Sequence, residues 1–236
     1  MVEVFVADDD HIMEGVLRTR DQRWVPIIDG VPSFLTGVLQ RDLTAFAERH
    51  RLPLFRTVAR PAAVEQAMTN VSFSDKWTRF RNYGLDPRHQ HFLYGWYCKK
   101  FGLKDLDELK AFHAGRRRIL ECGPGSGFNS RFMAEQTEGE VFALDVSAAA
   151  ITTFNNTKDL PNCTVVQADL MDSPFPDNYF DFIIADGVLH HTPDTRAAVE
   201  ALWKKLAPGG EFFFYVYKRM GAARQFCDAH IRKSFT

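Results

Sequence analysis

Three glycines spaced two apart stand where an apolar, strand-forming run gives way to a helix-forming one: Ile119-Leu120-Glu121-Cys122-Gly123-Pro124-Gly125-Ser126-Gly127-Phe128-Asn129. Glycine at such a junction lets the backbone turn sharply and lets a ligand approach with no Cβ in the way. The amide ends of the following helix then offer donors and a positive partial charge. A strand–loop–helix unit of this kind starts an α/β fold with a parallel sheet. The spacing also counts against two common nucleotide loops. The dinucleotide fingerprint needs its third glycine at the position of Phe128, and the Lys-Ser/Thr pair of a phosphate loop is absent.

From about residue 115 to 217, short apolar runs alternate with segments of helical period. The predicted strands are Arg118–Glu121, Val141–Asp145, Thr164–Gln167, Phe180–Ala185 and Phe212–Tyr217. Runs such as Phe182-Ile183-Ile184-Ala185 are apolar throughout, as strands covered on both faces must be. Helices are expected at Asn129–Gln136, Ala148–Asn155 and Thr195–Leu206, with Gly209-Gly210 as a stop and turn after the last. The expected fold class is therefore α/β, a Rossmann-like, doubly wound and mostly parallel sheet. Asp145 ends the second strand, 18 residues beyond Gly127. A carboxylate there can accept both hydroxyls of a ribose lying across the strand ends.

The first half reads differently. Residues 1–35 suggest a small module with a hairpin turning at Asp29-Gly30. Residues 36–115 read as a helical region: one helix from Gly37 to Arg51, one opened by Asp86-Pro87 toward Phe101, and one from Asp105 to His113 stopped by Gly115. Residues 116–236 form the third unit, with a last helix expected at Ala222–Lys233.

Composition narrows the class. Of 236 residues, 45% are hydrophobic and 25% charged, which excludes disordered, collagen-like and disulfide-scaffold chains. No apolar run approaches the roughly 20 residues of a membrane span, and Met1–Asp10 lacks the basic start and apolar core of a secretory signal. Cys98, Cys122, Cys163 and Cys227 include no C-x-x-C pair, so neither zinc nor any other metal is expected, and reduced thiols in a cytoplasmic protein are. The net charge is −1, yet residues 74–118 hold eleven Lys/Arg against five Asp/Glu, interleaved with aromatics. That span can be a nucleic-acid or anion surface, or a helical layer with solvated charges.

From Arg118 to Tyr217 the chain resembles the class I S-adenosylmethionine-dependent methyltransferases, in particular the group with a His-His-x-Pro-Asp stretch after the fourth strand. That group's acidic-x-Gly-x-Gly-x-Gly motif is similar to Glu121-Cys122-Gly123-Pro124-Gly125-Ser126-Gly127. Its ribose acid falls on Asp145, followed by Val146, and its residues beside adenine fall on Asp169-Leu170. Pro174–Asp181 looks like the lead into strand four, and Asp186-Gly187-Val188-Leu189-His190-His191-Thr192-Pro193-Asp194 follows it. Residues 25–35 resemble the end of a zinc-ribbon-like module, here without cysteines and so expected to be metal-free.

The resemblance implies S-adenosylmethionine as cofactor and methyl transfer to an oxygen, nitrogen or carbon, with a small molecule as the expected acceptor. It implies that Gly123, Gly125 and Gly127 pass beneath the methionine portion, that Glu121 receives its ammonium, and that Asp186 belongs to the same set. His190 and His191 are candidate proton acceptors, since imidazole titrates near neutrality. Trp77, Phe80 and Tyr83 are candidate lid residues, because aromatic faces receive a sulfonium. Each also has an ordinary structural reading: Glu121 and Asp169 as caps, the histidines as loop supports, the aromatics as core. Three further readings stay open: a non-catalytic cofactor-binding subunit, an RNA or protein methyltransferase, and an NAD-dependent oxidoreductase. The family usually adds two antiparallel strands after the fifth, for which residues 218–236 are too few, so a shortened chain is the favoured expectation.

Overall fold

The computed structural model describes residues 1–19, 23–54 and 63–217. Its larger sheet has five parallel strands, β5 (Arg118–Cys122), β6 (Glu140–Asp145), β7 (Cys163–Gln167), β8 (Phe180–Asp186) and β9 (Leu206–Tyr215), in the order β7-β6-β5-β8-β9. The chain starts in the middle, at β5, winds outward to β7, then returns to the other side of β5. The order reverses between β5 and β8, so their carboxyl ends diverge and leave a crevice, the place where open α/β sheets bind ligands.

Alternation along these strands builds two apolar layers. Leu120, Ile183 and Ala185 face one side with Ala198 and Leu202 of α7 (Thr195–Lys205). Ile119, Phe182 and Ile184 face the other, with Tyr97 of α3 (Pro87–Phe101), Leu109 of α4 (Leu106–Ala114) and Met133 of α5 (Phe128–Gln136). Helix α6 (Ala149–Thr157) covers β6 and β7 through Ala150 and Phe154. The starts of α3, α4 and α7 follow from local chemistry: Asp86, Asp105 and Asp194 each accept a backbone N–H of the first turn.

The N-terminal half departs from the expectation in three places. Residues 1–35 form a four-stranded antiparallel meander, β1 (Val2–Asp8), β2 (His11–Arg18), β3 (Trp24–Ile28) and β4 (Val31–Pro32), not one hairpin. The Asp29-Gly30 turn is present, with both residues at positive φ. The extra hairpin turns at Asp9, φ 50°, and its strand β1 points Val2, Val4 and Val6 outward and Phe5 inward. The helix expected over Gly37–Arg51 is broken into a 3₁₀ turn at Gly37–Leu39 and α1 (Thr44–Arg49). Asp42 accepts the Thr44 amide there and restarts the helix. Finally, α2 (Ala63–Arg79) had no sequence expectation.

Two differences concern the last strand. β9 begins at Leu206, where helix α7 ends, so Gly209-Gly210 lie inside the strand as an irregularity between the Phe180 and Phe182 pairings. The helix expected at Ala222–Lys233 lies outside the described residues, among which no antiparallel strand joins this sheet. At the opposite edge the meander does join it. Ser33 bridges Gln167 in parallel, and the Phe34 amide donates to the Gln167 carbonyl at 2.8 Å.

Candidate functional site

The loop after β5 runs through left-handed backbone at Gly123 (φ 68°), Gly125 (φ 63°) and Gly127 (φ 81°). Side chains rarely adopt this region, and packing adds to the constraint. A Cβ on Gly125 would lie 2.6 Å from the Trp77 indole, and one on Gly123 would lie 2.5 Å from Val188. Ser126 donates to the Tyr83 carbonyl at 2.7 Å, and Asn156 donates to the carbonyls of Ser126 and Arg81. The glycine loop is thereby tied to the α2–α3 connection.

A cavity of about 360 Å³ opens at the carboxyl ends of the strands. Its floor includes Gly123, Asp145, Val146, Asp169 and Leu170, and Asp186 closes one side. Asp145 is 8% exposed; its Oδ1 accepts the Ser147 amide at 2.8 Å and the Ser147 hydroxyl at 2.7 Å. Burial raises its carboxyl pKa, opposed by these hydrogen bonds. Asp169 caps the following 3₁₀ turn through the Met171 amide at 2.9 Å and still lines the cavity. Its cofactor and capping readings are therefore compatible.

Other sequence-predicted residues sit elsewhere. Glu121 is buried beneath the loop and does not line the cavity. It accepts Asn129 at 3.0 Å and the Ser130 hydroxyl, which locks the first turn of α5 to β5. Burial pushes its pKa up to about 7. Both bonds come from side chains of the first turn of α5 and are not a backbone cap. Gly125 and Gly127 shape the loop from outside the lining. Of the lid candidates, Trp77 lines the cavity. Tyr83 contributes its carbonyl and packs its ring between Trp77 and Phe128, each at 6.0 Å, while Phe80 is 59% exposed. His191 lines the cavity with its ring 4.8 Å from Phe73; His190 turns to Tyr217, ring to ring at 4.0 Å.

Long-range contacts supply what the local sequence does not announce. Helix α2 lies over the end of β6, where Asn70 donates to the Val146 carbonyl at 3.3 Å and Ser74 accepts the Ala148 amide at 3.0 Å. Asp186 receives Lys100 Nζ at 2.5 Å and the Tyr97 hydroxyl at 3.0 Å, both from α3. Lys100 Nζ lies 3.3 Å from the Trp96 ring centroid and 4.4 Å from that of Tyr215. Burial lowers the Lys100 pKa, opposed by Asp186. The aromatic spacing Tyr94-x-Trp96-Tyr97 followed by Lys100, one turn on, was the only sequence signal for this group. The arginines of residues 116–118 lie at the amino end of β5, across the sheet from the cavity. Arg116 is paired with Glu211, and Asp181 accepts the amides of Arg117 and Arg118. Among the described residues, no cluster of His, Cys, Asp and Glu could hold a metal, and no helix is long and apolar enough to cross a membrane.

Residues 120–214 match the family described as "Methyltransferase domain". The matched segment spans β5 to β9 and is similar to methyltransferase domains over that length. The chain is 34% identical over 153 residues to a demethylmenaquinone methyltransferase of Staphylococcus saprophyticus, covering 64% of this chain and 61% of that one. It is 25% identical over 170 residues to phosphoethanolamine N-methyltransferase 2 of Caenorhabditis elegans, covering 70% and 38%. Among solved structures, the N-methyltransferase NodS of Bradyrhizobium japonicum, in complex with S-adenosyl-L-homocysteine, aligns with a TM-score of 0.49 at 22% identity, over 62% of this chain and 71% of that one. The chain spans 28% to 61% of the length of the curated relatives it matches.

Proposed function

We propose that this chain is a methyltransferase that moves a methyl group from S-adenosylmethionine, in line, to an oxygen, nitrogen or carbon of a small-molecule acceptor. The observation that carries the reading is the single cavity that Asp145, Asp169 and the bare backbone of Gly123 share with an aromatic second half. The donor set fits a nucleoside with an amino-acid tail. In this reading Asp145 accepts the ribose hydroxyls, Val146 and Leu170 flank the adenine, and Asp169 accepts its amine. Gly123 lets the tail pass close to the loop. When bound, S-adenosylmethionine supplies an activated methyl on a sulfonium, so the chemistry asks little of the protein beyond orientation.

The chain's own residues orient and shield. Trp77 and the α2 residues Asn70 and Ser74 close over the strand ends, and positioning of this kind can supply several kcal/mol of barrier reduction. His191 is the side chain placed to take a proton from the acceptor. Burial lowers its pKa, helped by His190 and Lys76, so its ring is neutral and receptive near pH 7. His190, turned to Tyr217, holds that loop.

Calorimetric titration with S-adenosylmethionine and S-adenosylhomocysteine tests the reading, with Asp145→Ala and NAD as controls. Micromolar binding that falls at least tenfold in Asp145→Ala, with none to NAD, is expected. Folded protein that binds neither nucleoside would overturn it. The smallest relevant loss is a hydrogen bond to a charged group, about 1.5–3 kcal/mol.

A further inference from the structure

We infer that the half of the cavity away from Asp145 and Asp169 receives a planar aromatic ring bearing a negative charge, a carboxylate or phenolate, with Lys76 as its counter-ion. The inference rests on the proposed cofactor site, because it assigns the remaining space. Its walls are aromatic from three separate elements: Phe73 and Trp77 on α2, Trp96 on α3, and Tyr215 and Tyr217 at the end of β9. Faces and edges of this kind favour a flat ring, by about 0.5–1.5 kcal/mol per well-placed aromatic pair beyond the apolar area buried.

The charges decide which ring. A cationic acceptor would need a carboxylate in this half, and Asp186 is the one present. Both of its oxygens are already engaged, one by Lys100 at 2.5 Å and the other by Tyr97 at 3.0 Å. The cation position between Trp96 and Tyr215 is likewise filled, by the Lys100 ammonium. Lys76 is different. It lines the mouth, 4.5 Å from the Trp77 ring centroid and 5.7 Å from that of Phe73, and has no ion-pair partner among the described residues. The acid beside it in sequence, Asp75, is taken by Arg79 at 2.9 Å. His191, across the Phe73 ring, is held toward its neutral form by burial. One uncompensated positive charge therefore sits against an aromatic wall, an arrangement that selects an aromatic anion over its neutral and cationic isosteres.

The test is calorimetry on the full chain saturated with S-adenosylhomocysteine, using benzoate and 2-naphthoate against benzamide and 2-naphthamide, and 2-naphthylmethylamine as the cation. Each carboxylate should bind about three- to fivefold tighter than its amide, the range of one solvent-accessible ion pair, and the amine weakest. Lys76→Met should erase the gap between carboxylate and amide, and Lys76→Arg should keep it. Trp96→Leu should weaken all the ring compounds together. Amides or amine binding as tightly as the carboxylates, a gap that survives Lys76→Met, or no ring bound at all would overturn the inference. Failure to take up S-adenosylhomocysteine in the first place would instead strike the cofactor reading beneath it.

Discussion

Lys100 and Asp186 meet at 2.5 Å although 86 residues separate them in the chain. Their side chains are 10% and 15% exposed, so the pair is largely removed from water. Breaking such a pair from one side leaves a desolvated charge, at a cost of about 3–5 kcal/mol for a fully buried case and less here. Lys100→Met should therefore lower the urea midpoint clearly. The Lys100→Met/Asp186→Asn double variant should recover much of that loss, and a double-mutant cycle with no coupling would show that the pair contributes little.

Gly125→Ala tests the closeness of the loop to α2. The added methyl meets both the left-handed backbone and the Trp77 indole. Strain of this type costs about 1–3 kcal/mol, and relief requires Trp77 to move off the cavity wall. Thermal unfolding should drop by several degrees and affinity for S-adenosylhomocysteine at least tenfold, with a shifted tryptophan emission spectrum.

His113 predicts an acid sensitivity unrelated to the cavity. It is 1% exposed among Phe101, Phe112, Phe132 and Phe182, and burial, with Arg116 nearby, pushes its pKa down to about 4. An unfolded histidine binds its proton near pH 6.5 while the folded one refuses it. Stability should thus be full above pH 6.5 and decline as the pH falls toward 4, by about 3 kcal/mol in total from this group. In His113→Phe that part of the slope should vanish, as read from urea unfolding at stepped pH.

His191 should titrate below 6.5, because burial comes first and the charges of His190 and Lys76 act in the same direction. An NMR titration of its ring protons reads this directly, with no acceptor needed. Removing the nearby cation in Lys76→Met should move the midpoint upward, and an unchanged midpoint would separate the two residues.

Much of the parallel sheet was legible because its signals are local. Phe182-Ile183-Ile184-Ala185 is apolar on both faces, and Asp86-Pro87, Asp105 and Asp194 punctuate helices by chemistry confined to one turn. The strand β1 carried its own signal, valine at every second position from Val2 to Val6, but it turns the valines outward and so inverts the usual reading. Asp145 could be placed at a strand end by its spacing from Gly127, whereas Asp169 and Asp186 are reached through the family resemblance. The second half of the cavity could be placed by neither, since Trp96, Lys100 and Tyr215 acquire meaning only once α3 is laid across β8 and β9. Glu121 shows the converse: its position in a motif does not announce Asn129 and Ser130, whose side chains bond its two oxygens.

The bridge from Ser33 and Phe34 to Gln167 makes the two edges of the parallel sheet unlike. The meander meets the sheet at the last residue of β7, while the other edge strand, β9, has no strand beyond it among the described residues. Tyr215, the last residue of β9, is a wall of the cavity. Because Tyr215 pairs with Asp186 across β9 and β8 and both line the cavity, an edge of the sheet and a wall of the pocket are the same strand.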